Sequence, residues 1–132
     1  MSAFIFRLES LLRPNIILNR SLLNHFKSDY NVLFGGISNS KGLQLDRMLD
    51  LLYRNEIQLD SFHIHGSNLV DMSLKSLGCQ KAFVFSNQNE DFIKGCISVR
   101  IPNKYVPNAL KTDYTLHHLD QLESIFFDLK NK

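Results

Sequence analysis

The sequence predicts an α/β domain with a mostly parallel sheet and helices on both faces, a reduced form of the flavodoxin and Rossmann type. The main observation is a strand at 59–64, a helix capped by Ser67 or Asn68 that ends at Gly78, and a strand at 81–85. A strand, a helix and a strand within about 27 residues form a βαβ unit, which makes parallel sheets covered by helices. We therefore expect the strands at 59–64 and 81–85 to be parallel in one sheet.

The other elements follow from the spacing of apolar residues. Leucines at helical spacing before Pro14 make residues 1–29 a predicted N-terminal helical segment, in which 21–27 is a short helix. A short apolar strand at 31–34 enters a glycine-containing loop, and 97–101 is the last strand. Two amphipathic helices complete the domain. Their apolar faces are Leu45, Met48, Leu49 and Leu52 in the first, and Leu119, Leu122, Phe126 and Leu129 in a final helix from about Thr115.

Length and composition indicate one domain over 1–132, with the helical segment 1–29 followed by a core over 30–129. A chain of 132 residues with 44% hydrophobic residues buries roughly two-thirds of its unfolded surface, so disorder and fibrous classes are excluded. No apolar run approaches the roughly 18 residues of a membrane span. The formal charge of +2 excludes binding by bulk charge alone, so any nucleic-acid site must be a local patch.

Residue usage suggests an origin. The chain is rich in Phe, Ile, Asn, Lys and Tyr and poor in Ala, Gly, Pro and Arg, which indicates an AT-rich genome such as that of an organelle. Arg7, Arg13 and Arg20, with Glu9 as the one acid before Asp29, are similar to a mitochondrial presequence. This segment is either a retained first helix or an uncleaved signal. Two cysteines, Cys79 and Cys96, are expected to be reduced and partly buried.

Catalytic and metal-binding patterns are weak. His63 and His65 alternate on a strand but have no third ligand at a suitable spacing, and no serine lies in a nucleophile elbow. The loop at 35–42 joins a strand to a helix, where glycines let backbone amides approach phosphates. It has neither the Gly-Lys-Ser/Thr of a P-loop nor three glycines at dinucleotide spacing. We predict no catalytic residue, no metal site and no cofactor.

A distributed pattern favours RNA instead. Lysines, arginines and asparagines are interleaved in the loops, and these residues contact phosphates, sugars and base edges. Loops that follow parallel strands meet at the carboxyl edge of the sheet, so we expect them to form one RNA-binding surface. At least one of the two adjacent glycines is expected to have φ above zero or to touch RNA. The predicted RNA-binding residues are Gly35, Gly36, Ser38, Asn39, Ser40, Lys41, Arg47, Asn87, Asn103 and Lys104.

The order of three stretches resembles the bacterial-type small-subunit ribosomal protein two family. Residues 33–39, Leu-Phe-Gly-Gly-Ile-Ser-Asn, are similar to the family's Trp-Leu-Gly-Gly-Thr-Leu-Thr-Asn loop, which an amphipathic helix follows. Residues 59–65 are similar to its Pro-Asp-hydrophobic strand, and 69–78 to its next helix. Residues 82–86 and 99–103 are similar to a strand, an acidic loop and an Ile-Pro-small-Asn ending. The resemblance covers roughly 30–129.

The departures are large. Leu33 or its neighbour replaces the family's Trp, Phe85-Ser86 replaces an Asp-Thr pair, and Lys104-Tyr105 replaces an Asp pair. The family's N-terminal His-Phe-Gly-His region and its projecting coiled coil have no counterpart here. The resemblance is therefore to a shortened or split organellar version of the family.

The resemblance implies a structural, rRNA-binding constituent of the mitochondrial small ribosomal subunit, located in the matrix, and not an enzyme. Its expected partners are small-subunit rRNA, other ribosomal proteins and, as one alternative, a separate chain that supplies the missing N-terminal half. No membrane and no small-molecule substrate are expected. The rival interpretation is a small flavodoxin-like domain that binds a nucleotide near Gly35 to Lys41 or serves as an accessory subunit of another organellar complex.

Overall fold

The computed structural model describes residues 2–11, 20–79, 81–101, 111–116 and 121–130. These ranges contain six strands and five helices. The strands are β1 Ser2–Arg7, β2 Leu33–Ser38, β3 Ser61–Ile64, β4 Lys81–Ser86, β5 Ile97–Arg100 and β6 Tyr114–Thr115. The helices are α1 Leu8–Leu11, α2 Arg20–Tyr30, α3 Gly42–Arg54, α4 Leu69–Leu77 and α5 Leu122–Lys130, and a 3-10 turn spans Asn89–Asp91.

All six strands lie parallel in one sheet with the order β3-β2-β1-β4-β5-β6. The chain winds outward from β1 in one direction through β2 and β3, and from β4 in the other. This is the strand order of doubly wound dinucleotide-binding domains. The switch of direction lies between β1 and β4, the point at which doubly wound sheets have a crevice at the carboxyl ends of the strands.

The central strands are buried on both faces, and their sequences are therefore continuous apolar runs. Phe4 of β1 is in register with Phe34 of β2 and with Phe83 of β4, so aromatic rings gather on one face. The opposite face carries smaller side chains such as Ile5 and Val84. α2, α3 and α5 cover the aromatic face, whereas α4 covers the other. The predicted fold class, a mostly parallel sheet with helices on both faces, is confirmed.

The predicted N-terminal helical segment over 1–29 is wrong for its first part. Ser2–Arg7 is a strand, and it lies at the middle of the sheet. Helical leucine spacing begins only at Leu8, where α1 starts, while Phe4 and Phe6 alternate with Ile5 across the sheet. Pairing with β2 and β4, which are distant in sequence, makes this segment a strand. The spacing of leucines carries no information about those pairings. α2 is described as predicted and extends further, to Tyr30.

The strand predicted at 31–34 begins and ends later in the structure, as β2 over Leu33–Ser38. β2 continues through both glycines to Ser38, so only residues 39–41 separate it from α3. Neither glycine has φ above zero, and that part of the prediction is wrong. A Cβ at Gly36 would lie 2.6 Å from Leu59 Cδ1, and one at Gly35 would lie 3.1 Å from Ser61 Oγ. Close side-chain packing on the strand therefore accounts for the two glycines.

Other predicted elements are confirmed. β3, β4, β5 and α4 occur where expected, and Gly78 ends α4 in the left-handed conformation at φ 65°. β3 and β4 are parallel in one sheet as predicted, with β2 and β1 between them. In α3, Asp50 and Arg54 form an i,i+4 ion pair at 3.0 Å. The final helix starts later than predicted, because Thr115 belongs to β6. Of the described helices, none is both long and apolar enough to cross a membrane.

Candidate polar site at the carboxyl edge of the sheet

A buried ion pair closes the crevice between β1 and β4. Arg7, the last residue of β1, donates from Nε to Asp91 Oδ2 at 2.8 Å and from Nη2 to Asp91 Oδ1 at 2.6 Å. The relative exposures of the two side chains are only 2% and 4%. Ser86, at the end of β4, donates to Asp91 Oδ2 at 2.6 Å. The carboxylate thus accepts a two-point guanidinium contact and a hydroxyl, an arrangement that stabilises a buried charge.

The same crevice holds a second set of hydrogen bonds. Ser10 of α1 donates to Asn87 Oδ1 at 2.7 Å, and the Asn87 amide N–H donates back to Ser10 Oγ at 3.1 Å. Arg100 of β5 donates from Nη1 to the Asn87 carbonyl at 3.1 Å and from Nη2 to Asn89 Oδ1 at 2.6 Å. Its guanidinium also lies 5.1 Å from the centre of the Phe92 ring. The loop after β4 is therefore held from both sides.

The loop after β2 surrounds the carboxylate of Glu9. Ser38 and Ser40 both donate their hydroxyls to Glu9 Oε1, the latter at 3.1 Å. The Asn39 amide N–H donates to the same oxygen at 3.2 Å. Ser38 Oγ in turn accepts the Ser40 amide N–H at 3.0 Å. Three donors on consecutive residues thus converge on one carboxylate oxygen, and we call Ser38, Asn39 and Ser40 the oxyanion cradle.

Arg7 and Glu9 connect the two halves of the site. Glu9 Oε2 lies 3.8 Å from Arg7 Nη1, so the guanidinium faces Asp91 on one side and Glu9 on the other. Desolvation opposes the charge of Arg7, but the hydrogen bonds and negative charge of Asp91, together with Glu9 and Glu90, outweigh it and raise the pKa of Arg7. The guanidinium is a permanent positive charge at the centre of this edge.

The structure brings together only part of the predicted RNA-binding set. Ser38, Asn39, Ser40 and Asn87 lie at the carboxyl edge as predicted, joined through α1. Gly35 and Gly36 are buried within β2 and do not belong to the loop that follows it. The remaining residues lie apart from the hydrogen-bonded cluster: Lys41 and Arg47 are exposed at the beginning and in the second turn of α3, and Asn103 and Lys104 lie outside the described residues.

Sequence reasoning missed the charged groups at the centre of the site. Arg7 and Glu9 have only the presequence-like pattern to mark them in the sequence, and no motif marks Asp91. The signal that points to Arg7 is a charged residue that ends the apolar run Ala-Phe-Ile-Phe at 3–6. A lone charge at the end of a buried strand usually needs a partner. Its partner Asp91 is 84 positions away, and sequence spacing contains no trace of that pairing.

The described residues offer neither a metal cluster nor a disulfide. No group of three or more His, Cys, Asp or Glu residues within them is placed to hold a metal ion. His63 belongs to β3, and its Nε2 lies 2.8 Å from Ser76 Oγ. His65 follows the end of β3 with a φ of 57°. The prediction that the two histidines alternate on one strand is therefore wrong. Cys79 is buried and Cys96 half-buried, both as free thiols, as the sequence predicted.

The turn at the switch point differs from that of dinucleotide-binding domains. In those domains glycines in the turn after the first strand let backbone amides approach a pyrophosphate. Here α1 follows β1 directly, and residues 7–11 contain no glycine. The strand order of this fold is thus present without the phosphate-binding turn.

Comparisons of the chain with protein-family models, with curated proteins and with solved structures gave no match.

Proposed function

We propose that the protein is a structural, RNA-binding constituent of the mitochondrial small ribosomal subunit and has no catalytic role. The observation that most supports this is the position of the three stretches that resemble the ribosomal family. They fall on β2 with α3, on β3 with α4, and on β4 with β5, so each similar sequence coincides with a complete structural unit of one sheet. The turn Asn89–Asp91, with its two acidic residues, lies between β4 and β5, where the resemblance implies an acidic loop.

The composition of the carboxyl edge agrees with a binding role. Exposed or half-buried donors, namely the Ser40 hydroxyl, the Asn39 side chain and Lys41, lie on neighbouring loop positions. Such groups hold a sugar-phosphate backbone by position and do not read its sequence. The buried polar groups behind them are hydrogen-bonded to one another, which gives the edge a fixed shape. A rigid, polar surface of this kind is suited to packing against folded RNA.

A second candidate function is a small nucleotide-binding domain or an accessory subunit of another organellar complex. The strand order favours it, because ligands of doubly wound sheets bind at the switch point between β1 and β4. Two features weigh against a nucleotide there. The turn after β1 lacks glycine, and the Arg7–Asp91 pair fills the crevice with groups that bind each other.

Sedimentation of the native protein distinguishes the two functions. On a density gradient of mitochondrial lysate, we expect the tagged chain to sediment with the small subunit and to move to the top after ribonuclease treatment. Ultraviolet crosslinking of the same fraction should join the chain to small-subunit rRNA. Arg47→Ala should weaken the crosslink, whereas Arg54→Ala, at the other end of α3, is the matched control. Sedimentation as a free protein carrying a bound mononucleotide would establish the alternative.

A further inference from the structure

The oxyanion cradle is occupied by a side chain of the protein itself. Ser38, Asn39 and Ser40 direct two hydroxyls and one amide N–H at Glu9 Oε1. Hydroxyl and backbone N–H donors converging on one negatively charged oxygen are the contacts that proteins use to hold a phosphate or carboxylate ligand. Glu9 therefore stands where an external anion would bind.

A buried guanidinium nitrogen beside the cradle lacks a hydrogen-bond partner within the described residues. Arg7 Nη1 is in a side chain that is 2% exposed, and it makes no hydrogen bond there. Glu9 Oε2 lies 3.8 Å from this nitrogen, beyond hydrogen-bond distance. A buried donor without an acceptor is costly, so this nitrogen marks a position where another oxygen would be stabilised. A tetrahedral phosphate held by the cradle would have more oxygens than a carboxylate available for that position.

The start of α3 adds to the attraction for an anion. The helix follows the cradle directly, with Lys41 at its N-cap and without a side-chain cap hydrogen bond. Its 13 residues place the positive end of the helix dipole at this edge. The rim is open to solvent, because Asn39 and Lys41 are exposed and Ser40 is half-buried. An anion can thus approach from solvent without the sheet opening.

We propose that the oxyanion cradle, with Arg7 behind it, is a phosphate-binding site that Glu9 closes as an internal competitor. A phosphate group displaces the Glu9 carboxylate and takes over its contacts with Ser38, Asn39 and Ser40. Replacement of one anion by another keeps Arg7 charge-compensated, so the exchange leaves no buried charge without a partner. The inference rests on the proposed function only for the source of the phosphate, which is then an RNA backbone.

Removal of the competitor tests the site. The variants Glu9→Gln and Glu9→Ala, checked for folding by circular dichroism, are titrated with inorganic phosphate at constant ionic strength while the amide resonances of Asn39 and Ser40 are followed. We expect phosphate to bind at least about tenfold more tightly than in the wild type, because a like charge at contact distance is gone. Two variants are used so that loss of folding in one leaves the other informative.

Two further variants bound the result. Ser40→Ala combined with Glu9→Ala should lose most of the gained affinity, because one cradle donor is missing. Glu56→Gln removes an exposed carboxylate at the far end of α3, and it should bind phosphate like the wild type. If neither Glu9 variant binds phosphate more tightly than the wild type, or if Glu56→Gln gives the same gain, the proposed site is wrong.

A second titration identifies the source of the phosphate. A short oligouridine with a 5′-hydroxyl end carries phosphodiesters only. Tighter binding of both inorganic phosphate and the oligouridine by Glu9→Ala supports an RNA backbone as the ligand. Tighter binding of inorganic phosphate alone supports a phosphate site for a free anion and removes the cradle from the RNA surface. The sedimentation experiment tests the ribosomal role separately, so its failure and the failure of the cradle are distinguishable.

Discussion

The guanidinium of Arg7 and the carboxylate of Asp91 form a two-point ion pair, at 2.8 and 2.6 Å, between the central strand and the loop that follows its neighbour. Both side chains are nearly inaccessible to solvent. The pair ties β1 to the turn Asn89–Asp91, and Ser86 adds a third contact to the carboxylate. It therefore fixes the floor of the candidate site.

Asp91→Asn should destabilise the fold by about 3–5 kcal/mol, because it leaves a buried guanidinium without its charge partner. Arg7→Met should cost a similar amount, because it leaves the buried Asp91 carboxylate without the guanidinium that compensates its charge. The double variant Arg7→Met with Asp91→Leu should lose clearly less than the sum of the single losses, because no buried charge of the pair remains. Urea unfolding of the four proteins gives the coupling free energy, and additive losses would show that the pair does not stabilise β1 against the turn.

Substitution of the β2 glycines should follow the space around each position. Gly36→Ala places a methyl group 2.6 Å from Leu59 Cδ1 and 3.1 Å from Phe62 Cδ2, so we expect a loss of about 1–3 kcal/mol from overpacking. Gly35→Ala, with its nearest atoms at 3.1 and 3.2 Å, should cost less. Gly66→Ala meets only an ordinary contact at 3.4 Å and serves as the control. Thermal unfolding midpoints in the reverse order would contradict the packing explanation.

The fold class could be predicted from sequence because its signals are local. Gly78 ends α4, and polar residues separate the short apolar runs. The unit from β3 to β4 can therefore be predicted from residues that are close together in the sequence. β1 was missed for a physical reason. Phe4 is buried through register contacts with Phe34 and Phe83, which lie 30 and 79 positions away, and helical leucine spacing nearby suggested another structure.

The candidate site was predictable only as an edge of the sheet. The rule that loops after parallel strands meet at one edge correctly grouped Ser38, Asn39, Ser40 and Asn87. The partners that organise them, Glu9 and Arg7, were not found, because their contacts span 29 to 84 positions. The placement of Gly35 and Gly36 in a loop was wrong, because a glycine required by packing looks the same in sequence as one required by a loop.

Cys96 provides a prediction for alkaline pH. Burial, with a smaller contribution from the charge of Asp71, raises the pKa of the Cys96 thiol above its ordinary value. The folded state then keeps the thiol proton at a pH where the unfolded chain has released it. The free energy of unfolding should accordingly fall as pH rises from the ordinary thiol pKa of about 8.5 to the higher pKa of the folded state. Cys96→Ala should lack this contribution.

The measurement is the free energy of unfolding of the wild type and of Cys96→Ala under reducing conditions between about pH 7.5 and 10. Other groups that titrate in this range are common to both proteins and cancel in the difference. The difference should change only at the alkaline end, to the disadvantage of the wild type. A difference that is constant across the range would mean that the thiol has the same pKa in both states.

Lys41 provides the prediction for RNA binding. It is exposed at the N-cap of α3, beside the oxyanion cradle, and makes no side-chain cap hydrogen bond. Lys41→Ala should therefore change stability by less than about 0.5 kcal/mol. If its ammonium group contacts a phosphate, the variant should lower the slope of log affinity against log salt for rRNA by somewhat under one unit, because one counterion fewer is released.

The matched control for this charge is Lys75→Ala. Lys75 is an exposed lysine in the last turn of α4, on the helix that covers the other face of the sheet and near the amino end of β4. Because the two substitutions change net charge equally, a general loss of attraction would lower both slopes alike. We expect only Lys41→Ala to lower the slope. The slopes are measured by filter binding over a range of salt concentrations. Equal slopes for the two variants would mean that RNA does not bind at the carboxyl edge, because a lysine remote from that edge would then contribute as much as one beside the cradle.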